Sequence, residues 1–352
     1  MRVLSICSGI EACTVAWQPL GWSFAAYAEI DKFASAVLAH RHPQVPNLGD
    51  FTKIQPADID GPIDVLVGGT PCQSFSIAGL RGGLDDDRGN LALEFLRLAQ
   101  RIQPRWLLWE NVPGVLSSSR GRDFGSIITA MAELGYGVAY RVLDAQYWGL
   151  AQRRKRVFVV GYSGDWRRAV AVLFERESLS RDTAPRRKAR EDLAPTIVAR
   201  STGGGGLGTN FDLDGGLIAR PLLAGGHANN PLDENAIAGV YDKSHANGGV
   251  QVAVAQAIGV RRLTPRECER LQGFPDDYTR IPVRTYKNPP RGKHRQKYPE
   301  LYEVNADGSC TRFAADRPRY RVLGNSMPVP IMRWIGERIQ QVDTIQEGKL
   351  AA

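Results

Sequence analysis

The stretch IDVLVGGTPCQ (residues 63–73) decides the fold. Residues 63–67 form a short apolar run of strand length, the mark of a parallel strand buried on both faces. Gly68 and Gly69 end the run and Pro71-Cys72 follow, which sets a thiol at the carboxyl edge of a sheet. Upstream, residues 2–7 read as a strand, 11–18 as a helix, 23–28 as a strand closed by Glu29, and 31–41 as a helix with Asp31 near its start. Downstream, a helix is expected over 91–102, a buried strand over 105–109 ending at Glu110, a helix over 124–134, and strands over 136–144 and 156–162. Strand–helix alternation of this kind predicts an α/β fold: a doubly wound, mostly parallel sheet whose ligands bind at the carboxyl ends of its strands.

The 352 residues are 43% hydrophobic and 23% charged, which provides a packed core and excludes a disordered or fibrous chain. The length suits one large domain and a smaller one. A net charge of +8 favours a polyanionic partner, since neutralised phosphates release counterions, although a basic enzyme without a nucleic-acid role carries such a charge equally well. Cys7, Cys13, Cys72, Cys268 and Cys310 are scattered, with no CxxC pair. This argues against a disulfide framework or structural zinc and for a reducing compartment. No basic segment precedes a long apolar one at the N-terminus, and no apolar run approaches the length of a membrane span. The expectation is a cytoplasmic chain with no membrane partner.

After Gly161 the character changes. Residues 167–190 are rich in Arg and Lys, and 194–250 are rich in Gly and Asn without a long helical pattern. APTIVARSTGGGG (194–206) and ARPLLAGGHANN (219–230) each read as a short strand followed by a glycine turn, which suggests a small, mostly β second domain. A helix is expected over 262–272, with Thr264 as N-cap and Pro265 at its first position. Residues 282–318, polar and rich in Pro, Lys and Tyr, read as an inserted basic loop or arm, suited to a DNA backbone or simply to solvent. An amphipathic helix over 327–340 closes the chain, and the last ten or so residues are expected to fray.

Three segments carry chemistry. In GGTPCQSFSIAGLRGGLDDDRGN (68–90), a cysteine at a strand-to-loop junction among glycines is a candidate nucleophile; a buried inert thiol is the alternative. In LLWENVPG (107–114), Glu110 ends an apolar strand, so half-desolvation raises its proton affinity and suits it to proton donation; a turn carboxylate is the alternative. In AQRRKRVFVVG (151–161), Arg154 and Arg156 precede an apolar strand and could bind a phosphate or a base carbonyl, or form a solvated basic patch.

Taken in order, PCQSFS, ENV and QRRKRVFVVG resemble motifs IV, VI and VIII of the carbon-5 cytosine DNA methyltransferases. VLSICSGIEA (3–12) resembles motif I, EID (29–31) and GDF (49–51) the next two cofactor segments, RRLTPRECERLQGFPDDY (261–278) motif IX, and YRVLGNSMPVPIMRWI (320–335) motif X. The SGIEA form is similar to phage and prophage members in particular. It departs from the three glycines many members carry, since Glu11 and Ala12 replace the second and third, and Cys7 stands where an aromatic is common.

The resemblance implies an S-adenosylmethionine-dependent Rossmann-like fold over 1–163, a target-recognition domain over 164–260, and a return to the catalytic domain over 261–352. It implies methylation of carbon-5 of a flipped-out cytosine in a specific double-stranded DNA sequence, with no metal, by a monomer. Cys72 would be the nucleophile, Glu110 the proton donor and hydrogen-bond partner of the base, Arg156 the ligand of its 2-oxo oxygen, Arg154 a neighbour of the thiol or a phosphate, and Asn111 an ordering residue. The cofactor would meet Gly9, Glu29 at its ribose, Ile30, Asp50 at its adenine amine, Phe51, Pro71, Leu91, Asn325 and Ser326. DNA contacts would come from Gln73, Ser76 and Arg81, with Arg88 beside them, and from Thr196 and Arg200 in the middle region, where Asn210, His227 and Asn229 are further candidates. Two other readings stay open: an RNA (tRNA) cytosine-5 methyltransferase, and a non-catalytic DNA-binding relative.

Overall fold

The computed structural model describes residues 1–71, 91–174, 253–256 and 259–345. The chain divides into two compact units: Met1–Trp148 with Arg154–Ala184 and Asn325–Ala352, and Gly149–Arg153 with Pro185–Gly324.

In the first unit the elements run β1 (Arg2–Ile6), α1 (Ala12–Trp17), β2 (Ser23–Ala28), α2 (Lys32–Arg41), β3 (Val65–Gly68), α3 (Leu91–Ile102), β4 (Trp106–Asn111), α4 (Arg122–Glu133), β5 (Tyr136–Asp144), β6 (Lys155–Ser163) and α5 (Trp166–Leu173). The strands form one sheet in the order β2-β1-β3-β4-β6-β5. Parallel pairing joins β2, β1, β3 and β4; β6 runs antiparallel to both β4 and β5. The expected doubly wound, mostly parallel α/β sheet is therefore present, with one reversed strand. Strand order turns back at β1, between β2 and β3, the place where such sheets open a crevice at their carboxyl ends.

Period-2 side-chain alternation explains how both faces are filled. Leu4, Ile6, Leu66, Leu107, Trp109, Val157 and Val159 belong to one core with Phe95, Leu96, Leu98 and Ala99 of α3 and Ile127 and Met131 of α4. Val3, Val65, Val67, Leu108, Phe158 and Val160 alternate with these and are fully buried too. Asp31 starts α2 by accepting from the amides of Phe33 and Ala34, a conventional N-cap.

In the second unit β7 (Ala253–Gln256) pairs antiparallel with β8 (Gly259–Arg262). The helix α6 (Pro265–Gln272) opens on a capping box between Thr264 and Glu267, with Pro at the start and Gly273 at φ 81° beyond its end. The expected N-cap is correct, but Arg262 ends a strand instead of opening the helix. Next come β9 (Pro282–Tyr286), α7 (Lys293–Lys297), β10 (Tyr302–Val304), β11 (Cys310–Phe313) and α8 (Asp316–Asn325). The strands of this segment make a three-stranded antiparallel sheet ordered β10-β11-β9. The segment 282–318, expected as an inserted loop or arm, thus carries short paired strands that the sequence reading did not give. Its high charge hid short strands that pair around the buried Cys310 and Ala314. Arg319 of α8 donates to Thr279 Oγ1 at 2.9 Å and lies 3.3 Å from Glu269 of α6, tying the helices together inside this unit.

Finally, α9 (Val329–Asp343) belongs to the first unit, where it packs on α1 and α5. Trp17 Nε1 donates to the Met332 carbonyl at 2.6 Å. The α5 helix was missed from sequence because its arginines read as a basic surface. In fact Asp165 caps its start, and Arg168 is buried, donating to the carbonyls of Val342 and Ile345 at the end of α9.

Candidate active site

The site is built on the carboxyl edge of β1, β3 and β4. At the end of β3 the chain lies too close to its neighbours for any side chain. A Cβ on Gly68 would come within 2.5 Å of Ile6, and one on Gly69 within 2.8 Å of Glu110 Oε2 and 3.2 Å of Met327. Two side chains of β4 grip the turn that follows. Trp109 Nε1 donates to Thr70 Oγ1 at 3.0 Å, and Asn111 Nδ2 donates to the Thr70 carbonyl at 3.1 Å. All three groups are buried, so the backbone two residues before Cys72 is fixed from below.

Between these anchors stands Glu110, its side chain 12% exposed, paired with Arg156 Nε at 3.0 Å. Burial raises the proton affinity of its carboxyl above the usual range, against the opposing pull of Arg156 and Arg154. A carboxyl whose proton affinity is raised by burial beside a fixed cation suits proton transfer. Arg154 donates to the Ser326 carbonyl at 2.8 Å, and its backbone N–H to Asp144 Oδ1 at 3.0 Å. Burial, then the charge of Arg156, brings its guanidinium down to about 9, so it stays protonated at neutral pH.

One cavity brings Gly9, Glu110, Asn325 and Ser326 together, lined also by Ser5, Cys7, Cys13, Gly69 and Met327. Gly9 takes φ 56°, and its α-carbon faces open space. Its N–H donates to Glu29 Oε2 at 2.7 Å, while Asp31 N–H donates to Oε1 at 2.7 Å, which fixes the carboxylate at the end of β2. Ile30 beside it is 77% exposed, an aliphatic side chain with no cover. Asp50 is held by Thr52 and by Lys53 at 3.3 Å, and Thr52 first among these lowers its carboxyl below the usual range. Phe51 is buried in the core, Leu91 is half-buried against it, and Pro71 is exposed. A fixed carboxylate, an uncovered aliphatic side chain and an open glycine fit a nucleoside whose sugar hydroxyls meet Glu29 and whose ring meets Ile30.

Glu11 is the residue whose task sequence reasoning missed. It adopts φ 64° and caps α1, accepting from Thr14 N at 3.2 Å and Thr14 Oγ1 at 2.8 Å, and from the Ser5 hydroxyl. It is 1% exposed, and burial pushes its carboxyl up to about 7. A Glu preceding a short apolar helix was the available signal, but Ser, Thr, Asp and Asn are the usual caps. Thr70 and Met327 were missed as well.

Cys7, Cys13, Cys268 and Cys310 are free thiols. Burial, then Glu29 and Asp50, pushes Cys7 up to about 12; burial also raises Cys13, and takes Cys268 to about 11. None of these three is a thiolate at neutral pH. Cys72, Gln73, Ser76, Arg81, Arg88, Thr196, Arg200, Asn210, His227 and Asn229 lie outside the described residues, as do the glycine-rich middle region and the chain's last residues. Among the described residues, no three His, Cys, Asp or Glu side chains cluster as metal ligands, and no helix is long and apolar enough to cross a membrane.

Comparison with known proteins follows the same lines. The profile of the family described as C-5 cytosine-specific DNA methylase matches residues 1–199 and 226–289. A protein of Escherichia phage P1 named DNA N-6-adenine-methyltransferase is 37% identical over 95% of this chain, which spans 60% of that protein's length. The Type II methyltransferase M.SsoII of Shigella sonnei is 30% identical, with 89% of this chain and 72% of that protein covered. Among solved structures, a protein encoded within an E. coli prophage superposes with a TM-score of 0.56 at 19% identity, covering 98% of this chain and 100% of that one. That last likeness speaks to the fold.

Proposed function

The chain belongs to the C-5 cytosine-specific DNA methylase family of S-adenosylmethionine-dependent methyltransferases, and on that premise we propose that it methylates carbon-5 of a cytosine in a specific double-stranded DNA sequence through a covalent bond to Cys72. The observation that carries the reading is Glu110. It is a buried carboxyl braced by Arg156 at 3.0 Å, on a cavity lined also by Gly69, three residues before Cys72.

Carbon-5 of cytosine is a weak nucleophile, and a sulfur bond to carbon-6 turns the ring into an enamine that attacks from carbon-5. Because the atom is buried in a duplex, the base must leave the stack. Cys72 adds to carbon-6 as thiolate while Glu110 gives its proton to ring nitrogen-3, which neutralises the charge that would otherwise build on the ring. Arg156 keeps the carboxyl in place and would meet the 2-oxo oxygen. Glu29 and the Gly9 turn would hold the donor and Ile30 would pack on it; when bound, S-adenosylmethionine supplies an electrophilic methyl group. After transfer, a water takes the carbon-5 proton. The freed electron pair rebuilds the ring double bond, Cys72 leaves as thiolate, and nitrogen-3 returns its proton to Glu110. The residues needed are met on one chain, and the enzyme acts as a monomer. Gln73, Ser76 and Arg81 would touch the target strand, and Thr196 and Arg200 would sit in the recognition region.

The name of the phage P1 relative, DNA N-6-adenine-methyltransferase, favours a second reading, methylation of an adenine amine. An amine lone pair needs no thiol on the ring, so that chemistry leaves Cys72 without a task. Nucleoside mass spectrometry and bisulfite sequencing of DNA from a methylation-free host expressing this chain separate the two. The expected result is 5-methylcytosine at one recurrent sequence. N6-methyladenine without 5-methylcytosine contradicts the proposal, as does methylation of transfer RNA and not DNA.

A further inference from the structure

The sheet formed by β9, β10 and β11 has no part in the chemistry above, yet it concentrates charge. Between residues 282 and 313, seven Lys and Arg less three Asp and Glu leave +4, half of the chain's net +8 in a small fraction of its length. Arg284, Lys287, Arg291, Lys293 and Lys297 are exposed. Among the described residues none of them stands within ion-pair distance of a carboxylate. Of the three acids, Glu303 is engaged by Arg280 at 3.3 Å, and Asp307 accepts from Ser309 of its own hairpin. Arg284 lies directly across the ladder from Arg312, a like-charge pairing that costs stability in isolation.

The platform under these charges is built. Asn305 N–H donates to the Ser309 carbonyl at 2.8 Å, and Gly308 turns at φ 80°, which closes the β10–β11 hairpin. Ala314 N–H donates to the Ile281 carbonyl at 3.0 Å, and Cys310 of β11 is fully buried. Tyr286 lies under Arg284 with 5.0 Å between guanidinium and ring centre, and Tyr302 hydrogen-bonds His294 at 2.8 Å. Of the exposed cations, Arg284 stands on β9, and Lys287, Arg291, Lys293 and Lys297 stand in the β9–β10 connection that these paired strands anchor at both ends.

We infer that this sheet is a sequence-independent docking surface for the phosphate backbone of duplex DNA. The inference rests on the reading of the chain as a DNA methyltransferase and adds a contact that reads no base. Phosphates are the complementary charge, and they relieve the Arg284–Arg312 repulsion while releasing counterions.

The test is the duplex affinity of the full chain against salt concentration, for the parent and for K287Q/R291Q/K293Q, with kcat at saturating DNA measured alongside. Each lost phosphate contact lowers the slope of log affinity against log salt by about 0.9, so the triple variant is expected to lose about 2 to 3 units of slope and about tenfold or more in affinity at low salt. Its kcat is expected to stay that of the parent, and K287R/K293R should bind as the parent does. A parent that binds duplex with a variant of the same slope overturns this inference alone. A parent that neither binds nor methylates duplex removes the functional reading and the inference together.

Discussion

Arg156 and Lys293 carry the same charge in opposite settings. Arg156 has a side chain only 19% exposed and is held on Glu110 at 3.0 Å. Lys293 is exposed at the start of a short helix of the basic sheet, with no carboxylate at ion-pair distance among the described residues. A buried pair acts through geometry: its partner is fixed, salt scarcely screens it, and it helps set the protonation of the group it touches. An exposed cation acts at a distance and loses its influence as ionic strength rises. On the proposed reading, the chain keeps charge for chemistry in its first unit and charge for association in its second.

The comparison breaks most visibly at Glu110. Glu110→Gln keeps the shape and loses the transferable proton, so kcat is expected to fall by about a thousandfold with DNA affinity unchanged. Loss of affinity with intact kcat would place Glu110 on the binding side instead. Since burial raises the Glu110 carboxyl and the proposed mechanism uses its acid form, kcat should decline as pH climbs through its pKa.

Glu11 sharpens the contrast, because it is a buried carboxyl met by hydroxyls and an amide instead of a cation. Its pKa rises from 4.5 to about 7, so the folded state holds the proton more tightly than the unfolded one. The associated stability is fully present below pH 4.5 and is lost as pH rises through 7, on the order of 3 kcal/mol across that window. Urea titrations from pH 5 to 8 should show this decline, and Glu11→Gln should flatten it. An unchanged pH profile in the variant would mean that Glu11 is ionised throughout.

Smaller effects probe the walls of the site. Gly69→Ala drives a methyl group to 2.8 Å from Glu110 Oε2, so a loss of about ten- to a hundredfold in kcat is expected while the melting temperature holds within a few degrees. Asn111→Ala frees the Thr70 carbonyl and should cost about 1 to 3 kcal/mol, with a modest rise in disorder ahead of Cys72 seen as faster amide exchange at Thr70. If the charges of the sheet act before the chemistry begins, added salt should weaken DNA binding and leave kcat at saturation unaltered.

Much of the first unit was legible because local pattern and tertiary role agree there. β2, α3 and β5 have the bounds that apolar periodicity gives, and Asp31 caps its helix as its residue type implies, as Thr264 does in the second unit. Legibility failed where charge masked structure. Arg168 made α5 look like surface although its guanidinium caps α9, and the cations over 284–297 made paired strands look like a loop. It failed again where partners are distant in the chain. Nothing local says that Arg154 meets Ser326, 172 residues away, or that Asn111 holds Thr70. The departure from glycine at Glu11 was visible, but its cause is three-dimensional. The left-handed backbone is retained, and the side chain serves as a cap. The domain limits read from sequence, at 163 and 260, and the target-recognition role given to the middle remain proposals.

The most direct measurement offers the chain duplexes whose cytosines carry fluorine at carbon-5, together with S-adenosylmethionine. Fluorine cannot leave as the carbon-5 proton does, so the sulfur bond to carbon-6 persists. The account predicts a protein–DNA adduct that survives denaturation, formed by the parent and absent for Cys72→Ala. A broad pool of sequences that yields no adduct, or an adduct that persists without the Cys72 thiol, would contradict it.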